Sequence, residues 1–187
     1  MKPDPLDPFP CLETPRLVLR PVRAADAPAL LALFSDPETL RYWGTPPLHA
    51  IEDALDLVYH IEDAYQTRQG VEWALTRRGS DELVGKVCHH TWDQHHCRSE
   101  IGYAIGVAHR QQGLATEALR AILAFGFGPM RVHRCEAHID PQNLASRRTL
   151  ERLGFTLEAR LRENFCLAGR FHDSLLFSRI HAPDEVA

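Results

Sequence analysis

Apolar residues along this chain recur in two rhythms, period two and period 3.6, and the switches between them mark out the elements. Arg16-Leu-Val-Leu-Arg20 alternates and predicts a first strand, ended by Pro21. Asp26 is a candidate N-cap for a helix over Ala27–Phe34, with Pro28 in its first turn. Asp36-Pro37 starts a short helical turn through Leu40. Ile51, Ala54, Leu55, Val58 and Tyr59 share one face of an amphipathic helix over Ala50–Thr67, with acids opposite. Val71–Thr76 and Leu83–Cys88, the second extending toward Trp92, predict a hairpin around Arg77–Asp81. Ile101, Tyr103, Ile105 and Val107 alternate with small residues as a further strand. That strand crosses the polar turn Arg110–Gly113 into a helix carrying Leu114, Ala118, Leu119, Ile122 and Leu123, which Gly126, Gly128 and Pro129 end. A strand over Arg131–Ile139, a helix over Leu144–Leu153 closed by Gly154, and paired strands Phe155–Arg162 and Phe171–Ile180 complete the chain. This order predicts an α+β domain: a mixed, largely antiparallel central sheet of about six to seven strands, one parallel crossover, and about four flanking helices.

Composition narrows the reading. Four prolines and two aspartates among residues 1–10 predict an extended or disordered leader, and 11–182 a single domain. Apolar and charged contents of 44% and 25% are ordinary for a soluble protein. A formal charge of −4 and a pI near 6.2 argue against direct nucleic-acid binding, although Arg147, Arg148, Arg152, Arg160 and Arg162 make the last third locally basic. No run approaches the roughly 18 apolar residues of a membrane helix, and the proline- and acid-bearing N-terminus lacks a signal peptide's apolar core. Five cysteines without a Cys-x-x-Cys pair read as reduced, mostly buried thiols of a cytoplasmic protein. Trp73 and Trp92 are expected to pack against the sheet, and Tyr42–Leu48 to fill against the core or shape a substrate mouth.

The strand-turn-helix at 101–119 is where chemistry enters. A glycine-bearing turn into a helix presents free backbone N–H groups at the positive end of the helix dipole, a geometry that binds phosphate. No Gly-Lys-Ser/Thr follows, which excludes a P-loop, and no Gly-x-Gly-x-x-Gly occurs, which excludes a dinucleotide fold. The pairs His89-His90 and His95-His96 tempt a metal reading. Strand neighbours point to opposite faces, however, and a third and fourth ligand are lacking, so no metal site is expected.

Arg110-Gln-Gln-Gly113-Leu-Ala115 resembles the acyl-CoA pyrophosphate loop of the GNAT superfamily of N-acetyltransferases. Glu100-Ile-Gly-Tyr103, Ala115-Thr-Glu-Ala118, Thr14-Pro-Arg-Leu17 and Asn143-x-x-Ser146-x-x-x-Leu150-Glu-x-Leu-Gly-Phe155 resemble its Rim-type branch, named for enzymes that acetylate ribosomal-protein N-termini. The likeness covers nearly the whole chain. Two positions depart from it: Val107, where proline is frequent, and Gln111, where glycine is usual; neither removes an N–H group.

The resemblance implies acetyl-CoA as co-substrate, with its pyrophosphate on the amides of Gln111, Gln112, Gly113, Leu114, Ala115 and Thr116 beside Arg110. It implies a pantetheine arm lying like an extra strand along Ile105, Gly106 and Val107, and contacted by Asn143. The reaction implied is direct attack of an amine on the thioester, with the cysteines structural. Ser146 is expected to protonate the leaving thiolate. Glu100 is the preferred general base, directly or through water, with Glu163 behind it. An α-amine of pKa near 7.7–8.0 is roughly 10% neutral at pH 7 and a lysine amine below about 0.1%, so an N-terminal acceptor needs only a modest base. The acceptor favoured is a protein or peptide N-terminus, the alternatives being a small-molecule amine or a non-catalytic CoA-binding module. A monomer or homodimer is expected.

Overall fold

The computed structural model describes residues 4–181. The period-two segments form β1 (Leu12–Glu13), β2 (Leu17–Pro21), β3 (Val71–Arg77), β4 (Leu83–Asp93), β5 (Arg98–Ile105), β6 (Arg134–Ile139), β7 (Thr156–Leu167) and β8 (Arg170–Ile180). The helices are α1 (Ala27–Ser35), α2 (Pro37–Leu40), α3 (Ile51–Gln66), α4 (Leu114–Phe127) and α5 (Leu144–Arg152). All eight strands join one sheet in the order β1-β2-β3-β4-β5-β6-β8-β7. Every pairing is antiparallel except β5 with β6. The α+β expectation therefore holds, with the two-residue β1 raising the strand count.

Alternation in the strands divides two cores across the sheet. Leu19, Trp73, Val87, Ile101 and Phe177 face α4 and α5, while Ala74, Leu83 and Ala104 face α1 and α3. Trp43 and Leu48 of the loop before α3 pack on the second core, Trp43 against Phe34 at 5.4 Å. The same loop meets the far side of the sheet where Gly44 approaches the Phe165 ring. Of the two roles expected for it, these contacts are those of filler against the core.

Several expectations need correcting. Residues 4–10 are not a free leader: Leu6 is buried, Phe9 stacks near Tyr65 and Trp73, and the Trp73 indole donates to the Pro10 carbonyl at 2.6 Å. Apolar side chains among the prolines anchored what composition alone read as disorder; residues 1–3 lie outside the described residues. Asp26 makes no side-chain cap for α1. Its carboxylate instead takes two bonds from Arg20 and one from the Arg23 amide. The strand expected from Arg131 begins at Arg134, because Arg131 has φ +55° and the Val132 amide bonds the Gly126 carbonyl at the end of α4. Of the five cysteines only Cys88 and Cys135 are buried; Cys11 and Cys166 are exposed and Cys97 is half-buried.

Candidate active site

β5 and β6 run side by side only from Arg98/Arg134 to Glu100/Glu136, and then part. Beyond that point β6 pairs with β8 alone, as far as Ile139. The result is a gap in the middle of the sheet, bounded by Ile101–Ile105 on one side and Ala137–Ile139 on the other. The Gly106 amide donates to the Val84 carbonyl at 3.0 Å, on the β4 side. Alternation then turns the Ile105 N–H toward the gap, where an extended amide chain can pair with it. Gly106 is thus spent on β4, and Val107 has left the ladder for a single 3₁₀ turn over Val107–His109. The strand available to a ligand ends at Ile105, two residues earlier than expected.

The turn that follows is held by charge. Arg110 does not point into it: its guanidinium bonds the Ile105 carbonyl (3.0 Å), the Glu38 carbonyl (3.3 Å) and Thr39 Oγ1 (2.9 Å), tying the turn to α2. Gln111 and Gly113 adopt φ of +59° and +74°. At Gly113 a Cβ would find only an Arg16 guanidinium nitrogen, at 3.5 Å. The first intrahelical bond of α4 runs from the Glu117 amide to the Gly113 carbonyl at 3.1 Å. The amides of Leu114, Ala115 and Thr116 therefore precede the helical ladder and are free to bind an anion. The buried Leu114 side chain fixes the helix start.

Sequence reasoning missed the clip behind this turn. Glu117 accepts from Thr14 Oγ1 (2.7 Å), the Arg16 amide (2.9 Å) and Arg16 Nε (2.6 Å). Burial raises its pKa, but these bonds outweigh that and hold it below the usual carboxylate range. Arg16 also bonds the Gln112 carbonyl at 2.8 Å, and Arg77 grips the Gln112 side chain. The Thr14-Pro-Arg and Thr-Glu-Ala blocks were both visible in the sequence. Only the fold brings them together.

Across the gap, Asn143 caps α5 by accepting the Ser146 amide at 3.0 Å. Ser146 is buried, and its hydroxyl lies 2.6 Å from that of Tyr103 on β5. Glu100 and Tyr103 stand three residues apart in an unbroken stretch of β5, so they face opposite sides of the sheet. Ser146 thus closes the gap from the α5 side and Glu100 floors it from the other.

On the Glu100 face, Lys86 is paired with Glu72, and Arg134 binds Glu136 (2.5 Å) and Glu158 (2.6 Å). The only ion pair of Glu100 among the described residues is with His90, at 3.7 Å. Glu163 sits apart on the β7 edge, exposed, with φ +50° and its amide bonded to Asp173. A cavity of ≈ 720 Å³ reaches His90, the partner of Glu100, and is lined also by Gln69, Glu72, Trp92, Asp93 and Gln94. His89 points the other way and is buried in the core. Burial pushes the Cys88 and Cys135 thiols up to about 12, so neither is a nucleophile at neutral pH. Among the described residues no three His, Cys, Asp or Glu side chains gather as a metal site, and no helix is long and apolar enough to cross a membrane.

Comparison with known proteins gives the same arrangement a family. Residues 16–156 match the model of the acetyltransferase (GNAT) domain. The uncharacterized N-acetyltransferase YoaA of Bacillus subtilis (strain 168) is 36% identical over 170 residues, covering 91% of this chain and 96% of that protein. Spermidine N(1)-acetyltransferase of Escherichia coli (strain K12) is 27% identical over 158 residues, covering 84% and 82%. Mycobacterium smegmatis RimJ, solved in complex with CoA-disulfide, superimposes with a TM-score of 0.80 at 25% identity, covering 88% of this chain and 81% of that one. A split sheet beside a glycine turn of free amides, on a chain so matched, belongs to the GNAT acetyltransferases: this protein is an acetyl-CoA-dependent N-acetyltransferase.

Proposed function

We propose that this enzyme acetylates the α-amine of a protein or peptide N-terminus by direct attack on acetyl-CoA. The observation that carries the reading is the placement of Glu100 and Ser146 on opposite faces of one gap in the sheet. The amides of Leu114, Ala115 and Thr116 at the start of α4 hold the pyrophosphate, and the Ile105 amide with Asn143 holds the pantetheine arm. The acetyl group then lies in the gap with the acceptor arriving over Glu100. Glu100 takes the amine proton, directly or through water, and Ser146 gives one to the departing thiolate. No cysteine takes part, because both thiols near the gap stay protonated.

The choice of acceptor rests on how much of each amine is neutral at pH 7. Glu100 is half-buried, and among the described residues its one ion-pair partner is the histidine His90, at 3.7 Å. Such a carboxylate suits an amine already partly neutral at pH 7, as an N-terminus is and a lysine is not. A polyamine is the second reading, favoured by the likeness to the spermidine enzyme. Thiol release from acetyl-CoA with N-terminal peptides, spermidine and aminoglycosides separates them. Turnover on peptides, abolished by blocking their α-amine, is expected. Turnover on spermidine alone overturns the peptide reading, and tight CoA binding without turnover on any amine makes the protein a binding module.

A further inference from the structure

Tyr103 and Ser146 come from β5 and α5 and meet through their hydroxyls at 2.6 Å, beside the gap. A hydroxyl carries one proton and two acceptor lone pairs. Were Ser146 to donate to Tyr103, its single proton would be spent inside the protein. With Tyr103 as the donor, the Ser146 proton stays free for a third group. The other acceptor open to Tyr103, the Ser146 carbonyl, is 3.5 Å away and a poor competitor. The Ser146 backbone is fixed by its amide bond to Asn143, and its side chain is buried beside Tyr103. Burial pushes the Tyr103 phenol up to about 12, against a smaller pull down from Ser146, so it remains a donor throughout the neutral range.

We propose that Tyr103 is a positioning residue which donates to Ser146 Oγ, aims the Ser146 proton into the gap between β5 and β6, and replaces that proton when it leaves. This rests on the reading of Ser146 as the acid. The balance is simple. The amine nitrogen bonds to the acetyl carbon, the carbon–sulfur bond breaks, and the amine proton leaves by way of Glu100. The thiolate takes the Ser146 proton, Ser146 Oγ takes that of Tyr103, and the phenolate regains a proton from water, equal to the one Glu100 gives back.

Tyr103→Phe removes the hydroxyl and keeps the ring, and it is compared with Ser146→Ala and the double variant. Each is assayed on the best acceptor of the panel above, with acetyl-CoA Kd measured by calorimetry. Tyr103→Phe is expected to lower kcat about tenfold, less than the roughly 10²–10⁴-fold that a general acid contributes because Ser146 itself remains, at unchanged Kd and acceptor KM. It should add nothing to Ser146→Ala. Acetyl-seleno-CoA, whose leaving group is a weaker base and needs no acid, should restore both variants. A wild-type rate for Tyr103→Phe with Ser146→Ala still slow overturns the relay and leaves the role of Ser146 standing. Wild-type rates for both sink the Ser146 reading itself. A loss that the selenoester does not recover, or that shows as weaker acetyl-CoA binding, assigns Tyr103 to packing and overturns the proposal.

Discussion

The ring of His89 fills the space that a side chain at Gly126 would need: its Cε1 and Nε2 lie 2.7 Å from where a Cβ would stand. Nε2 is 2.8 Å from the Ile122 carbonyl and Nδ1 is 2.8 Å from Ser99 Oγ. A carbonyl only accepts, so Nε2 carries the proton and Nδ1 accepts from Ser99. The neutral ring is therefore satisfied on both nitrogens in the middle of the core, joining β4, β5 and α4.

Gly126→Ala reverses the usual effect of that substitution. In a helix interior, alanine gains roughly 0.5–1 kcal/mol over glycine. Here the added methyl meets the His89 ring, which its two bonds prevent from moving aside. A net loss of about 1–3 kcal/mol is expected, the usual cost of overpacking. Chemical denaturation measures it, and a variant more stable than the parent would show that the ring is free to move.

Protonation of the same ring makes the fold acid-labile. Burial, the largest cause, lowers the His89 pKa to about 4, against a smaller raising bond to Ile122. The unfolded chain holds it near 6.5, so between those values the unfolded state binds the extra proton. Stability is full above pH 6.5 and falls as the pH drops toward 4, by about 3 kcal/mol in all. Denaturant midpoints at pH 7, 5.5 and 4.5 should decline steadily, and a flat profile across that range would contradict the buried neutral ring. Carboxylates held low, such as Glu158 at about 2 from an ordinary 4.5, begin to cost stability only as the pH nears that ordinary value, so the decline between pH 7 and 5.5 is the part that reports the ring.

Gly113 carries a different strain. At φ +74° an L-residue is costly, but no atom other than the Arg16 guanidinium lies close to a Cβ there. Gly113→Ala should cost about 1 kcal/mol of stability and little else. Gly113→Glu should in addition abolish acetyl-CoA binding, by setting a carboxylate at the helix N-terminus where phosphate is due. Unchanged affinity of Gly113→Glu by calorimetry would remove the turn from the cofactor site.

What the sequence made legible was local, and what it hid was pairing over distance. The alternation of Ile101, Tyr103 and Ile105 disclosed β5, and the turn at Arg110–Gly113 disclosed the start of α4. The same alternation did not say where β5 parts from β6, because that depends on the register of partners 36 residues apart in sequence, Arg98 with Arg134. Arg110 belongs to the loop that the resemblance sets at the cofactor's anionic end, and its bonds to Ile105, Glu38 and Thr39 were not legible from that. Tyr103 stood in the sequence only as an alternating residue of the strand; its hydroxyl found Ser146 only through the fold. Leu6 was hidden among prolines whose composition signalled disorder. Candidate chemistry was visible as residue types, and its geometry was not.

Asp26 illustrates the same limit and supplies a last test. By sequence it is an N-cap, worth about 1 kcal/mol on removal. In the fold it is buried against the buried Arg20, accepting at 2.7 and 2.8 Å, and it also takes the Arg23 amide at 2.8 Å. Arg20 keeps a second partner, Asp81, whose side chain is 72% exposed and therefore far more weakly held. Asp26→Ala should thus leave a buried guanidinium half-compensated and cost about 3–5 kcal/mol, several times the value of a cap. Replacing both charges, as Arg20→Met with Asp26→Leu, removes the stranded charge and should cost clearly less than the sum of the single losses. A double-mutant cycle in denaturant measures the coupling. If Asp26→Ala costs no more than about 1 kcal/mol, Asp26 is a cap after all and the ion pair contributes little to the fold.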